Sequence, residues 1–245
     1  MNDHQKPDRP FGLSAFLRCQ NEEEYIVASI LSSYRVFDEV VVVLNNSTDG
    51  TRALLEDLMT DHPRIRLLEY PQRVAPAGVG YLEKVQAKPE SSLASYYNWC
   101  LRQTRFSHVC KWDGDMIALP TFAGVRKMLA TEEIIAFSGY DLLDQPTVDY
   151  ELRIFRYDPT HTRYEDWDLY EVLMHEYGHG RRFEPKCYLH MKLAKREWLH
   201  REWVSPNDFA TRSFPAAGAG LARKPGLTRT RRLTALWRRV SGWRT

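Results

Sequence analysis

The sequence predicts an α/β fold built on an open, mostly parallel sheet flanked by helices, with a basic helical tail at its end. Three observations predict it. Strand-like and helix-like stretches alternate through the first two thirds of the chain, the rhythm of parallel strands joined by crossover helices. Glu39–Leu44 (EVVVVL) is apolar or β-branched almost throughout, as in a strand covered on both faces. Polar clusters follow several strands, at the ends where such sheets hold ligands.

The elements follow in order. Phe11–Arg18 is a short apolar strand that runs into CQNEEE, and Glu22–Tyr34 has helical spacing through Ile26, Ile30 and Leu31. After the strand Glu39–Leu44, NNSTDGT supplies Ser, Thr and Asp to cap a helix over Arg52–Met59. Arg64–Glu69 alternates as a third strand, and Pro71–Pro89 reads as a loop. Ser92–Gln103 is a helix, and His108–Trp112 is a strand that ends in DGDM. Ile134–Ser138 and Leu152–Arg156 are further strands, Asp166–His175 reads as a helix, and Cys187–Lys192 is a late strand.

A chain of 245 residues suits one large domain with a short appendage. The expected division is a flexible segment 1–10, a globular domain 11–208 and a basic extension 209–245. No apolar run approaches the roughly 20 residues of a membrane span, and MNDHQKPDRP lacks the apolar core of a signal peptide. Cys19, Cys100, Cys110 and Cys187 form no C-x-x-C pair, so reduced thiols and a cytoplasmic setting are expected.

Net charge is +2, yet residues 209–245 carry nine Lys or Arg and no acid, which leaves −7 for the rest. Leu233, Leu236, Trp237 and Val240 recur at helical spacing among the arginines. That pattern suits an amphipathic helix on an anionic membrane surface or one packed on the domain, and it predicts a peripheral position on the inner face of a membrane. Basic residues confined to one end of an acidic body argue against nucleic acid.

Asp113-Gly114-Asp115 places two carboxylates around a glycine that would let a ligand approach. Hard oxygen ligands suit Mg²⁺ or Mn²⁺. LRCQNEEEYIVASI, VVVLNNSTDGTRALLEDL, SYYNWCL with Asn98, KWDGDMI and YEDWDLYEVL, in this order, resemble the family 2 glycosyltransferases, inverting enzymes of GT-A fold.

The resemblance covers Phe11–Lys192 and implies a UDP-linked nucleotide-sugar donor and a saccharide or lipid-linked acceptor in cell-surface polysaccharide assembly. It implies that Phe16, Leu17, Arg18, Asn21, Glu22, Asn45 and Asp113 hold the donor nucleotide. It places Asp113, Asp115 and His190 at the metal. Asp166 would be the general base with Glu165 fixing its position, and Trp167, Arg153, His175 and Glu176 would lie on the acceptor side. Glu165, Asp168, Glu171 and Glu176 are rival bases. Trp112 and Trp167 suit either sugar stacking or core packing.

Two departures qualify the resemblance. Asn45 stands where an aspartate is common, which leaves the base open. No Q-x-x-R-W follows the E-D pair, which predicts addition of one sugar rather than a polymer.

His175–His179 spells H-E-x-x-H, a zinc peptidase signature when helical. Arg182 and Pro185 stand where its extended form has Gly and His, so the segment is expected to end the acceptor-side helix. The other rivals are an inactive sugar-nucleotide-binding module and a sugar nucleotidyltransferase; LRCQNEEEY lacks the basic, glycine-rich loop of the latter.

Overall fold

A computed structural model describes residues 9–141, 150–177 and 180–195. The expected amphipathic tail lies outside the described residues. The expected α/β architecture is the one observed. Twelve strands and four α-helices are described. They are β1 (Leu13–Cys19), α1 (Ile26–Ser33), β2 (Glu39–Leu44), α2 (Thr51–Asp61), β3 (Ile65–Glu69), α3 (Tyr81–Ala87), α4 (Leu93–Gln103), β4 (His108–Asp113) and β5 (Met116–Ala118). Then follow β6 (Ile134–Phe137), β7 (Tyr140–Asp141), β8 (Glu151–Arg156), β9 (Thr162–Asp166), β10 (Glu171–His175), β11 (Arg181–Phe183) and β12 (Tyr188–His190).

The main sheet has seven strands in the order β11-β6-β8-β4-β1-β2-β3, with β8 running against its neighbours. From β1 the chain builds outward to β2 and β3 on one side and later to β4 on the other. That reversal opens a crevice at the carboxyl ends of β1 and β4, where Arg18 and Asp113 are partners in register.

All six residues of β2 are buried, because the sheet is covered on both faces. Val40, Val42 and Leu44 join a core with α1, α2, Phe37, Trp112 and Phe122. Val41 and Val43 join the opposite core with α3, α4 and their tyrosines. Trp112 is 1% exposed and stacks on Phe122 at 4.7 Å, so of its two roles core packing is the real one. The four cysteines are buried and unpaired. Among the described residues no helix is long and apolar enough to cross a membrane.

The structure corrects the reading in two places. Part of the expected loop Pro71–Pro89 is α3, which begins at Gly80 in the left-handed region (φ 73°). The segment 166–175 is not a helix. β9 and β10 form an antiparallel hairpin in which Asp166 faces Glu171 and Thr162 faces His175.

Asn98 of α4 fixes that hairpin. Its Nδ2 donates to the Tyr164 carbonyl at 2.9 Å, and its Oδ1 accepts from the Tyr164 N–H at 2.8 Å. The side-chain amide thus completes the outer edge of β9 as a neighbouring strand would. Tyr164 packs beneath on Tyr97 with ring centroids 4.5 Å apart. Asn98→Ala leaves both backbone groups without a protein partner. It is expected to cost about 1–3 kcal/mol, read as a lower urea midpoint at unchanged slope.

Candidate functional site

Two loops frame the crevice, and they are laced together. The Asn21 Oδ1 accepts from the Thr48 N–H at 2.8 Å, and the Glu22 N–H donates to Thr51 Oγ1 at 2.8 Å. The Glu23 N–H donates to Asp49 Oδ2 at 3.1 Å, and the Gly50 N–H donates to Glu23 Oε2 at 2.7 Å. Asp49 also accepts from the Thr51 N–H and hydroxyl at the head of α2. The N-E and S-T-D-G-T motifs therefore hold each other. Asn21, expected at the nucleotide, spends its amide oxygen on this lacing, with its backbone in the left-handed region (φ 57°).

The other expected nucleotide contacts are similarly redistributed. Phe16 and Leu17 are buried, and both lie in the ladder between β2 and β4. Their backbone is thus committed to the sheet, and the strand reaches the crevice only beyond them. Asn45 is buried and pins the loop beside β2: its Nδ2 donates to the Gln72 carbonyl at 2.6 Å, and its Oδ1 accepts from the Val74 N–H at 3.3 Å. It shapes the wall of the crevice rather than presenting a free amide.

At the crevice floor every acid has a cation. Arg153 of β8 donates to Asp113 Oδ2 at 2.8 Å and lies 2.5 Å from Glu151. It is 4% exposed. The acceptor-side expectation for Arg153 is thus corrected: it is the buried counter-ion of Asp113. Arg18 lies 3.7 Å from the other Asp113 oxygen and stacks 3.7 Å above the Tyr97 ring. Burial works against the charge of Asp113, but Arg153, Lys111 and Arg18 hold its carboxyl well below the usual range. Burial also works against Arg18, which Tyr97, Glu171 and Asp113 keep charged.

Asp115 has its own partners. His190 Nε2 lies 3.4 Å from Oδ1 and Lys195 Nζ 3.0 Å from Oδ2. Lys195 Nζ also lies 2.8 Å from both oxygens of Glu22, and His190 Nδ1 lies 3.0 Å from Asp141. Burial opposes ionisation of Asp115, yet His190 and Lys195 depress its carboxyl to about 2. The glycine between the two acids is there for packing. A Cβ on Gly114 would meet Glu22 Cγ at 3.0 Å and Ile26 Cδ1 at 3.3 Å, so the close approach is made by Glu22 and not by a ligand.

These residues do not fit a divalent cation as a set. A hard cation needs several oxygens converging at 2.0–2.2 Å or so. Here Asp113 is turned to arginines, Asp115 and Glu22 share an ammonium, and His190 is spent between Asp115 and Asp141. Among the described residues no three His, Cys, Asp or Glu side chains are placed to hold one ion.

On the acceptor side, Asp166 is engaged at the head of α4. Its carboxylate accepts from the Tyr81 hydroxyl, from Ser92 Oγ at 2.6 Å and from the Ala94 N–H at 3.0 Å. Ser92 is the α4 N-cap and accepts from the Ser95 N–H. Glu165, on the opposite face of β9, pairs with Arg163 at 2.6 Å rather than fixing Asp166. Trp167 is half-buried in the turn and its N–H donates to the Tyr170 carbonyl.

Glu171 stands directly opposite Asp166 and therefore on the same face. It acts electrostatically on Arg18, which is partly exposed, and on the buried Tyr97 and Tyr164 beneath it. No described residue engages its carboxylate by a hydrogen bond or ion pair.

His175 and Glu176 do not form a helical pair. His175 ends β10 with a buried, unpartnered Nδ1, and burial pushes its pKa down. Glu176 faces His161 at 2.8 Å. His179 lies outside the described residues. A zinc site of the H-E-x-x-H type requires the helix that is not formed here.

Sequence reading missed Lys195, Tyr81, Asp141 and the true place of Arg153. Ser92 at the head of a helical stretch was a readable cap. The others carry no local signal, because each acquires its role from a partner far along the chain.

Comparison with known proteins finds a family match over part of the chain. Residues 14–79 match the model described as Glycosyl transferase family 2, across β1, α1, β2, α2, β3 and the loop that follows. The matched stretch holds the first two of the motif segments that resemble that family. No curated protein matches.

Among solved structures, S. aureus TarS 1-349 is 18% identical with a TM-score of 0.43, over 57% of this chain and 39% of that one. The mannosyltransferase PcManGT from Pyrobaculum calidifontis, in complex with GDP-Man and Mn²⁺, is 17% identical with a TM-score of 0.41, over 98% and 85%. GalNAc-T7 with UDP, GalNAc and Mn²⁺ is 10% identical with a TM-score of 0.40, over 69% and 30%. The chain thus spans well under half the length of TarS 1-349.

The His190 environment has a pH signature. Burial opposes its charge, but Asp115 and Asp141 raise its pKa from 6.5 to about 9. A raised folded-state pKa gives stability that is complete below the unfolded value and lost as pH rises through the folded one. Stability should therefore fall by on the order of 2–3 kcal/mol between roughly pH 6.5 and 9. Urea titrations of His190→Gln across that window should lack the His190 part of this slope.

Proposed function

We propose that this chain transfers a single sugar from a nucleotide-sugar to a hydroxyl of a saccharide or glycolipid acceptor, with inversion at the anomeric carbon. The observation that carries the reading is the family match over β1 to β3, since the carboxyl ends of β1 and β2 form one wall of the crevice. The nucleoside diphosphate lies in that crevice, against the loop that Asn45 holds, with its phosphates towards the cationic rim at Arg18 and His190. The acceptor enters from the hairpin side. The basic sequence of residues 209–245 supports an acceptor carried on an anionic lipid surface, in assembly of a cell-surface saccharide.

The base in this reading is Glu171. An acceptor hydroxyl must give up its proton as its oxygen attacks the anomeric carbon, on the face opposite the departing diphosphate. The carbon–oxygen bond to the sugar forms, the bond to the diphosphate breaks, and the proton passes to a carboxylate. A base needs an oxygen lone pair open to that hydroxyl. The lone pairs of Asp166 are directed at Tyr81, Ser92 and Ala94, whereas Glu171 faces the crevice groups. Asp166 acts as a positioning residue that ties the hairpin to α4.

Two experiments test this. In a thermal-shift panel of UDP, GDP, dTDP, CDP and ADP, one ligand at a hundred times its Kd should stabilise the fold by about 2.7 kcal/mol. A shift with one base names the donor class, and no shift with any of them overturns the reading.

Glu171→Gln should keep nucleotide binding and lower turnover about 10²–10⁴-fold. Asp166→Asn should mainly lower the melting temperature. Turnover abolished by Asp166→Asn in a protein of unchanged stability, with Glu171→Gln near full activity, would return the base to Asp166.

A further inference from the structure

The cation position beside the D-G-D turn is already filled by the protein. Lys195 Nζ sits between Glu22 and Asp115, 2.8 Å from both oxygens of the first and 3.0 Å from Oδ2 of the second. Its side chain is 12% exposed, so this is a part-buried ammonium and not a surface lysine passing by.

The backbone that delivers it is anchored on both sides. The Met191 N–H donates to the Asp115 carbonyl at 2.8 Å, and the Tyr25 hydroxyl donates to the Ala194 carbonyl at 2.9 Å. The first bond ties residues 191–195 to the D-G-D turn itself, and the second ties them to the start of α1. Glu22 is in turn packed against Gly114, where an added Cβ would crowd its side chain at 3.0 Å.

The remaining acid is just as firmly matched. Asp113 is turned away to Arg153, whose guanidinium is fixed on β8 and shared with Glu151. A divalent ion entering here would have to displace the ammonium from two carboxylates and would still find Asp113 paired. An ammonium with three N–H groups can bond Glu22 and Asp115 and keep one donor for an incoming oxygen.

We propose that Lys195 is the resident cation of this site, neutralising Glu22 and Asp115 itself, so that the protein binds a nucleoside diphosphate without a divalent ion. Lys195 meets the diphosphate from the Asp115 side and Arg18 meets it from the Asp113 side. Both are held charged: burial works against Lys195, and the Asp115 and Glu22 carboxylates outweigh it and raise its pKa. This inference rests on the donor-site reading above for its ligand, but its statement about the cation can be tested without any nucleotide.

The experiment uses the full chain, Lys195→Ala and Lys195→Met, each checked for cooperative melting. Calorimetric titration with Mn²⁺ alone should show no saturable site in the wild type and a new one in Lys195→Ala, where Glu22 and Asp115 are freed. Equal Mn²⁺ binding by wild type and variant would overturn the proposal.

A second titration uses UDP and GDP, with EDTA and with Mn²⁺. Wild-type affinity should be unchanged by Mn²⁺, and Lys195→Ala should lose about tenfold or more in EDTA and regain part of it with Mn²⁺. A wild-type affinity that rises tenfold or so with Mn²⁺ overturns the proposal. If none of UDP, GDP, dTDP, CDP and ADP binds under any condition, the donor-site reading fails, while the Mn²⁺ titration still decides the role of Lys195. Lys195→Met keeps most of the apolar stem and should behave as Lys195→Ala does; if only the alanine variant gains Mn²⁺ binding, loss of packing is responsible and the proposal falls.

Discussion

A carboxylate placed at the reversal of the strand order is the constraint on which the rest of the site depends. Asp113 ends β4 part-buried at the crevice floor, where an uncompensated charge would be costly. Arg153 reaches it from the antiparallel strand β8, and Arg18 reaches it from its register partner on β1. Arg18 is in turn held flat on Tyr97 of α4. Tyr97 supports Tyr164 of β9, whose backbone is held by Asn98. One part-buried charge thus connects the central strands, the helix beneath them and the β9–β10 hairpin.

The two loops at the rim follow the same logic on a smaller scale. The sequence features that look most like ligand-binding groups, Asn21, Glu23, Asp49 and Thr51, bond chiefly to one another. Their chemistry is that of capping and lacing: short polar side chains meet backbone N–H groups at a turn and at a helix start. This leaves the crevice itself to the longer side chains that stand between the loops. Arg18, Glu22, Lys195 and His190 are partly exposed there, and their positions are inherited from loops that cannot shift independently.

The hairpin shows how a fold separates two carboxylates of similar sequence context. Asp166 and Glu171 face the same way, yet one lies at the head of a helix among three donors and the other faces the crevice. A carboxylate at a helix N-terminus is stabilised by N–H groups and by the helix dipole, which suits it to holding structure. A carboxylate beside a cationic, aromatic wall with an open lone pair is suited to taking a proton. The same hairpin removes the zinc-peptidase pattern, since His175 and Glu176 leave the end of a strand instead of sharing a helical face.

The sequence by itself determined what depends on local order. The covered strand EVVVVL, the alternation of strands and helices through Gln103, the turn before α2 and the D-G-D at the end of β4 are written in spacing and residue type, because backbone geometry and two-sided burial impose periodicity on neighbours. The family resemblance was legible for the same reason, and most fully in the segment around β1 to β3.

Only the tertiary structure decided the rest. The segment 166–175 has enough helical character to be read as a helix, but Asn98 pairs with the β9 backbone 66 positions away, and that docking selects a hairpin. Arg153 meets Asp113 across 40 positions, and Lys195 meets Glu22 across 173. Ion pairs of this kind have no period and no preferred spacing, because the partners are brought together by the crossing of strands and not by the path of the chain. The sequence names the charges of this site; which acid each cation neutralises is settled only when the sheet is assembled.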